Sequence, residues 1–214
     1  MNKLSATILL VGAMVLFLLL AGCQSQTDAQ EEEARSTAVT EEEPSSQNNT
    51  GRETQPQIQL EVNISERELY VFRNGDTLRT LPVAVGSSEY PTPTGEFEID
   101  QVDWNPDWTP PESEWSEDEE YTPPGDPDNP MGRVRIVYNM PYTIHGTEET
   151  ESLGKAVSHG SIRVANEEAI ELAKLVMEAG GAAKSEVWYD SVLASPTEME
   201  TVTLQEPVPL TNKQ

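Results

Sequence analysis

Residues 57–214 are predicted to form one β-rich α+β domain, in which strands outnumber helices. Polar and apolar residues alternate over residues 57–64, which is the pattern of a half-buried strand. The dipeptide Asn74-Gly75 lies between two strand-like segments and predicts the type I′ turn of a hairpin, because both central residues of that turn need positive φ. Only residues 166–180 have a strong helical pattern.

The remaining strands follow from the same alternation. Residues 142–144 lead directly into His145, which places this histidine at the end of a strand. Residues 200–204 form the last predicted strand. Residues 207–210 are interpreted as an edge or tail because they contain two prolines. Further strands are predicted at residues 68–72, 78–85, 95–102 and 133–138.

The main helix is predicted to begin at Asn166, a favourable N-cap, with Glu167 and Glu168 in the first turn at the positive end of the helix. Gly180 fits the position just after the last turn. A shorter second helix is predicted over residues 185–193. The apolar residues of the main helix recur at intervals of three and four and predict one buried face: Ala169, Leu172, Ala173, Val176 and Met177.

Residues 103–130 differ from the rest of the domain, since they hold three tryptophans, seven prolines and an acidic run. A connection of this length in a compact domain is usually functional or disordered. Two interpretations stay open: a partly ordered lid or binding wall, or tryptophans that only cap the edge of the core. Counting twelve residues from Asp126 reaches Val137, where an EF-hand needs a glutamate, so no calcium loop is predicted. We expect no metal and no cofactor.

Residues 1–22 have the features of a secretory signal peptide. Lys3 precedes an apolar run over residues 6–21, and small residues follow at the predicted cleavage point. An uncleaved anchor is the alternative, although the run is slightly short for a bilayer span of ~20 residues.

Residues 20–23, Leu-Ala-Gly-Cys, resemble the lipobox of bacterial lipoproteins. The resemblance implies that Cys23 is lipidated and becomes the mature N-terminus. Gln24 stands where some lipoproteins retained in the inner membrane have aspartate, which favours the outer membrane. Residues 23–56 contain almost no large apolar side chains and are predicted to be a disordered acidic tether. We therefore expect a lipid-anchored protein of the cell envelope, on the periplasmic side.

The charge and cysteine content exclude several classes of function. The formal net charge of −25 repels nucleic acid and anionic head groups, so neither is an expected partner. One explanation for the acidity is adaptation to high salt. Cys23 is the only cysteine, so the domain has no intrachain disulfide and no catalytic thiol.

Both histidines of the chain lie in one stretch, residues 144–166, and each is followed by glycine. The first pair is His145-Gly146. The second lies in residues 158–163, Ser-His-Gly-Ser-Ile-Arg. Two histidines near turns can be purely structural, but both histidines of a chain in this arrangement indicate an active site.

These motifs resemble the catalytic domain of the L,D-transpeptidase (YkuD-type) family of bacterial cell-wall enzymes. That family has a histidine-glycine pair followed, after a gap, by Ser/Thr-His-Gly-Cys, an apolar residue and Arg or Asn. Residues 91–95, Pro-Thr-Pro-Thr-Gly, and residues 129–132, Asn-Pro-Met-Gly, match the family's usual sequence as well. The resemblance covers residues 57 to about 180 and implies a β-sandwich or barrel with one main helix after the motif.

The resemblance implies acyl transfer between stem peptides of peptidoglycan, through an acyl-enzyme, by a chain that we expect to be a monomer. His145 would activate the nucleophile and His159 would orient and polarise the site. Gly146 would contribute to substrate binding. The other implied roles are substrate positioning by Arg163, supporting hydrogen bonds from Ser158, and oxyanion binding by backbone N–H groups around Gly160 and Ser161.

Ser161 occupies the position of the family's cysteine. A serine hydroxyl must lose its proton to a base as it attacks, whereas a thiol is partly ionised near neutral pH. A Ser-His pair can react when a third group holds the histidine, but the sequence identifies no such group. Three interpretations stay open: an acyl transferase that uses Ser161, an inactive lipoprotein that binds peptidoglycan, and a structural lipoprotein that does not recognise the wall.

Overall fold

The computed structural model describes residues 57–214 and confirms a β-rich α+β fold. The predicted signal peptide, lipidation site and tether lie outside the described residues. Two short 3-10 helices lie at Glu114–Ser116 and Thr150–Ser152. The α-helices are α1 (Asn166–Ala179) and α2 (Glu186–Ala194). The strands are β1 (Ile58–Asn63), β2 (Glu68–Arg73), β3 (Asp76–Pro82), β4 (Val85–Gly86), β5 (Gly95–Trp104), β6 (Val134–Asn139), β7 (Tyr142–Thr147), β8 (Ala156–Ser158), β9 (Ile162–Ala165) and β10 (Glu200–Lys213).

Eight strands form one sheet in the order β3-β2-β1-β10-β5-β6-β7-β9, and β4 pairs with β8 in a small second sheet. The β1–β10 and β7–β9 pairs are parallel, and the other pairs of the large sheet are antiparallel. Ala84, just after β3, exchanges backbone hydrogen bonds of 2.9 and 3.0 Å with Arg163 in β9. The strands β3 and β9 are the two edges of the large sheet. The bridge therefore connects the residue after one edge strand to the other edge strand, and the sheet is nearly closed into a barrel.

The predicted hairpin is confirmed. Asn74 and Gly75 connect β2 to β3 with φ values of 53° and 90°, as a type I′ turn requires. The alternation of β1 is also confirmed, because Ile58, Leu60 and Val62 are buried between more exposed neighbours.

The C-terminal strand differs most from the prediction. Residues 200–210 belong to one strand, β10, which lies between β1 and β5 and not at an edge. Its two prolines fit because the register with β5 shifts between Thr203 and Val208, around Pro207, and Pro209 precedes the first residue that pairs with β1. A proline in a central strand is tolerated at such a bulge.

The main helix begins at Asn166 as predicted, but the residues predicted to cap its two ends need correction. Ala165 occupies the N-cap position without a side-chain hydrogen bond. The side chain of Asn166 instead accepts from the N–H of Arg133 (2.9 Å) and donates to Glu148 (2.6 Å), so it joins two loops. At the other end Gly181, not Gly180, has the left-handed backbone, with φ of 71°.

The core lies between the curved sheet and the helices. The predicted buried face of α1 is confirmed at all five positions. Trp104, predicted to lie in a loop, is the last residue of β5 and is fully buried, with its indole near Met177 and the rings of Trp188 and Tyr189. The irregular segment between β5 and β6 is therefore residues 105–133, called the insert below. No helix within residues 57–214 is long and apolar enough to cross a membrane.

Candidate active site

The two histidine motifs are brought together by the parallel pair β7–β9. His145 is in register with Arg163, and Ser161 immediately precedes β9. Because side chains alternate across a strand, Ser161 and Arg163 point to the same face as His145. We call this the site face. The strand of His145 continues to Thr147, so the histidine lies within β7. The prediction that it lies at the end of a strand was wrong.

His145 is buried, with 3% of its surface exposed. Its Nδ1 lies 2.9 Å from the carbonyl oxygen of Gly146. A carbonyl can only accept, so Nδ1 carries the proton of the neutral ring and Nε2 is the nitrogen that carries the lone pair. The pKa of His145 is lowered to about 4, mainly by burial and also by the guanidinium groups of Arg163 and Arg135, whereas the carbonyls of Gly146 and Pro130 oppose the shift. His145 is therefore a neutral base at physiological pH.

Ser161 is partly buried, and its hydroxyl accepts a hydrogen bond of 3.2 Å from the backbone N–H of Thr143 in β7. Among the described residues, no hydrogen bond joins this hydroxyl to the ring of His145. Apo active sites often lack the hydrogen bond that forms when substrate is bound. The serine is thus held beside the strand of the base, at a diagonal position on the same face.

The loop before Ser161 is closed by its own hydrogen bonds. The hydroxyl of Ser158 donates to the carbonyl of Ser161 (2.6 Å) and accepts from the N–H of Gly160 (3.1 Å). This N–H is therefore not free to bind an oxyanion in this conformation. Thr92, which is buried, donates to the carbonyl of Gly160 (2.9 Å) and accepts from the N–H of Gly86 (2.8 Å). These bonds fix the backbone that presents the serine.

Two glycines of the motifs are needed for space. Gly160 has φ of 107°, and a Cβ there would collide with the ring of Tyr142. A Cβ on Gly146 would collide with the amide oxygen of Asn166, at the start of α1. Gly146 was predicted to contribute to substrate binding, and its position shows a close contact with the helix.

His159 is exposed and lies outside the buried part of the site. Its ring stacks on Trp115 of the insert, with a centroid distance of 3.9 Å and an angle of 7°, and Tyr90 lies on it at 5.0 Å. Partial burial lowers the pKa of His159, and so does Arg163, whereas Glu89 and Glu119 oppose the shift. His159 therefore belongs to an aromatic wall beside Ser161.

The acidic residues near His145 in sequence are paired with other groups. Glu149 binds Arg163 at 3.0 Å, and Glu148 accepts from the side-chain amide of Asn166. The sequence identified no third group to orient the base. In the structure, the carbonyl of Gly146 holds the ring instead.

The profile of the L,D-transpeptidase catalytic domain (YkuD) matches residues 57–193, well over half of the chain. The chain belongs to this family.

Curated L,D-transpeptidases show the same relationship. The putative L,D-transpeptidase YkuD of Bacillus subtilis (strain 168) is 34% identical over 118 residues, which cover 55% of this chain and 59% of that protein. The probable L,D-transpeptidase YbiS of Escherichia coli (strain K12) is 33% identical over 115 residues, which cover 50% of this chain and 38% of that protein. This chain thus spans less than two thirds of either relative. A solved L,D-transpeptidase from Mycobacterium smegmatis has 18% identity and a TM-score of 0.48, over 74% of this chain and 59% of that chain.

The L,D-transpeptidase match contains every predicted site residue of the domain. The structure brings His145, Ser161 and Arg163 onto one face, with Ser158 and Gly160 in the loop beneath, while His159 lies in the aromatic wall.

Sequence reasoning missed two residues beside the L,D-transpeptidase motifs. Arg135 lies next to His145 across β6 and β7, and Tyr90 packs on His159. The only sequence signal for Arg135 was a basic residue in an alternating strand. Trp115 was predicted to lie near the site only in the interpretation of residues 103–130 as a lid or binding wall.

Proposed function

We propose that this chain is a peptidoglycan L,D-transpeptidase-like acyl transferase that acts on stem peptides of the bacterial cell wall, with Ser161 in the position of the family's cysteine. The observation that carries the proposal is the arrangement of the base. The Nδ1 of His145 is held by the carbonyl of Gly146, which makes Nε2 the proton acceptor of the neutral ring, and Ser161 lies on the same face of the β7–β9 pair. Membership of the family supplies the class of substrate.

In the proposed reaction, Nε2 of His145 takes the proton of the Ser161 hydroxyl as its oxygen attacks the carbonyl carbon of the third stem-peptide residue. The carbon–nitrogen bond then breaks, and the terminal D-alanine leaves with the proton returned by the imidazolium. The stem peptide stays on Ser161 as an ester. An amine of a neighbouring stem attacks this ester and restores the hydroxyl, and water in its place gives a carboxypeptidase reaction.

Oxyanion binding needs backbone N–H groups without other partners. The N–H of Gly160 is bonded to Ser158, so the N–H of Ser161 itself is the nearer candidate. The side chain of Arg163 is 20% exposed, and its one carboxylate partner within residues 57–214, Glu149, is largely exposed. A substrate carboxylate can replace such an exposed partner at little cost, because exposed ion pairs contribute only about 0–1 kcal/mol.

A second candidate function is an inactive lipoprotein that binds peptidoglycan. One observation favours it: the hydroxyl of Ser161 is bonded to the N–H of Thr143, and within residues 57–214 it makes no hydrogen bond to His145. A site whose nucleophile is held away from its base could still bind stem peptides.

Both candidates place the protein in the cell envelope. We propose that Cys23 carries a lipid anchor on the periplasmic side, with the outer membrane favoured by Gln24, and that residues 23–56 form a tether. As a coil, these residues span ~30 Å, which suits a domain held near the wall.

Mass spectrometry tests the acyl-enzyme. The purified chain is incubated with a tetrapeptide stem or a carbapenem, and we expect a mass increase that is absent in Ser161→Ala. Release of D-alanine should accompany the adduct with the stem peptide. An unchanged mass together with no D-alanine contradicts serine chemistry.

Ser161→Cys is the matched variant, because it restores a thiol that ionises far more readily than a hydroxyl. We expect faster acylation in this variant. Co-sedimentation with purified sacculi separates the second candidate, since an inactive binder sediments with the wall without forming an adduct. A chain that neither reacts nor sediments at low and high salt would contradict both functions.

A further inference from the structure

A row of charged side chains crosses the site face. Asp103 in β5 is in register with Arg135 in β6, Arg135 with His145 in β7, and His145 with Arg163 in β9. Residues in register on neighbouring strands point to the same face. The imidazole of His145 is therefore flanked by a guanidinium group on each side.

The two arginines are held very differently. Asp103 is fully buried and accepts from Nε of Arg135 at 2.8 Å, while the other oxygen of its carboxylate accepts from Gln101 (2.8 Å) and Thr201 (2.9 Å). Arg135 itself is 14% exposed at the side chain. Arg163, by contrast, pairs with the largely exposed Glu149. The guanidinium of Arg135 is thus the fixed charge of the row.

Arg135 also contacts the insert. Its Nη1 donates to the carbonyl of Asp107 (2.9 Å), and its Nη2 lies 3.4 Å from the carboxylate of Asp107. Asp107 is the third residue of the insert, whose Trp115 stacks on His159. One side chain therefore contacts the buried carboxylate of β5 and the start of the insert, and lies beside the base.

We propose that Arg135 is a positioning residue of this site: held by Asp103, it fixes the start of the insert against the site face and adds to burial in favouring the neutral, proton-accepting form of His145. The catalytic part of this inference rests on the proposed function. The electrostatic part concerns the resting protein and can be measured whether or not the protein is an enzyme.

Every charged group around His145 enters the expected effect. Arg135 on β6 and Arg163 on β9 both lower the pKa of His145. Asp103 and Asp107 pair with Arg135, Glu149 pairs with Arg163, and Glu148 pairs with Asn166. Loss of the Arg135 charge removes a cation and leaves the negative charge of Asp103 in the row, so the pKa of His145 must rise.

The chain has only two histidines, which makes the test direct. The titration of both imidazoles is followed by NMR in the full chain. We expect Arg135→Gln to raise the midpoint of His145, by less than the loss of Arg163 does, and to leave His159 unchanged, because Arg135 is not among the groups that shift His159. Arg163→Gln should raise both midpoints. Arg79→Gln, in a surface ion pair with Glu168, is the control and should move neither.

A purely structural ion pair would destabilise the protein without moving the titration of His145, and that result would overturn the inference. An equal shift of both histidines on loss of Arg135 would overturn it too. Removing one partner of a buried pair can unfold a protein. The double variant D103N/R135Q removes both charges, and in it a midpoint of His145 at or below the wild-type value would likewise contradict a role for the Arg135 charge.

Kinetics separate this inference from the proposed function. If the wild type forms an acyl-enzyme, the acid limb of kcat/KM, which reports the free protein, should move to higher pH in Arg135→Gln by the same amount as the NMR midpoint. If the wild type forms none, the proposed function fails and the NMR titration still decides the inference.

Discussion

At the scale of single residues, the unusual feature is that a backbone carbonyl orients the base. Ser-His pairs generally rely on a carboxylate that fixes the tautomer and stabilises the imidazolium. Here the carbonyl of Gly146 fixes the tautomer of His145 but carries no full negative charge, and two arginines lie nearby. The imidazolium is therefore poorly stabilised, and this suits a nucleophile that ionises readily better than a serine.

The buried histidine predicts a pH-dependent stability. The pKa of His145 is about 4 in the folded chain and about 6.5 unfolded, so the unfolded chain binds the proton first as the pH falls. The contribution of His145 to the free energy of unfolding is fully present above pH 6.5 and is lost between pH 6.5 and 4. Between pH 7 and 4.5, wild type should lose about 2 kcal/mol more free energy of unfolding than His145→Gln. Urea unfolding at the two pH values measures this.

The comparison of the two proteins cancels the common effect of the many carboxylates. His159→Gln is the control, because an exposed histidine contributes less to this dependence. Equal losses in wild type and His145→Gln would show that His145 titrates normally in the folded chain.

The sequence allowed the site residues to be predicted better than their neighbours. Gly160 and the two histidines lie in two short sequence motifs, so they could be identified without knowing how the strands pair. Arg135 could not. Counting back from the turn at Asn139 and Tyr142 would pair Ile136 with His145, but the register shifts between Val137 and Asn139. A shift of one residue exchanges the two faces of a strand, which is why Arg135 faces the site.

At the scale of elements, the insert is an ordered part of the site. The side-chain amide of Asn129 donates to carbonyls of Pro106 (2.9 Å) and Pro123 (3.1 Å), and Trp108 pairs with Thr122 through two backbone hydrogen bonds of 2.9 Å. Such contacts hold a proline-rich segment in one conformation without regular secondary structure. Its composition indicated a special role, but long-range contacts of this kind leave no periodic signal in a sequence.

Trp115 predicts a measurable effect on His159. Because burial against the aromatic wall is the main cause of the lowered pKa of His159, Trp115→Ala should raise that pKa toward its usual value near 6.5. Trp108→Ala is the matched control, since Trp108 stacks on Trp115 at 6.5 Å and not on the histidine. NMR titration of the imidazole gives the answer. An unchanged pKa in Trp115→Ala, or an equal rise in both variants, would show that the stack does not shield the ring.

Secondary structure was predicted well where a local residue pattern determines it and poorly where tertiary contacts determine it. The buried face of α1 and the turn at Asn74 follow from local spacing. The N-cap prediction at Asn166 was wrong because tertiary contacts use its side chain elsewhere. The two prolines led to the prediction that residues 207–210 form an edge or tail. They lie instead within the central strand β10, whose register with β5 shifts before Val208.

At the scale of the whole molecule, the C-terminal strand decides whether there is a barrel. β10 lies between β1 and β5, so it is the only strand among the described residues that joins the β1–β3 group to the β5–β9 group within the large sheet. The family match ends at residue 193, before this strand begins. The matched region alone therefore lacks a central strand of this fold.

A chain that ends at Ser195 should consequently fail to fold. It loses the backbone pairing of β10 with both neighbours and four buried side chains, Val202, Leu204, Val208 and Leu210, each worth about 1.5–3 kcal/mol of burial. Their sum is comparable to the whole stability of a typical domain, about 5–15 kcal/mol. We expect no cooperative urea transition by circular dichroism. A chain that ends at Asn212 keeps every residue paired with β5 and should unfold cooperatively. A cooperative transition of wild-type slope in the shorter chain would mean that the sheet closes without β10.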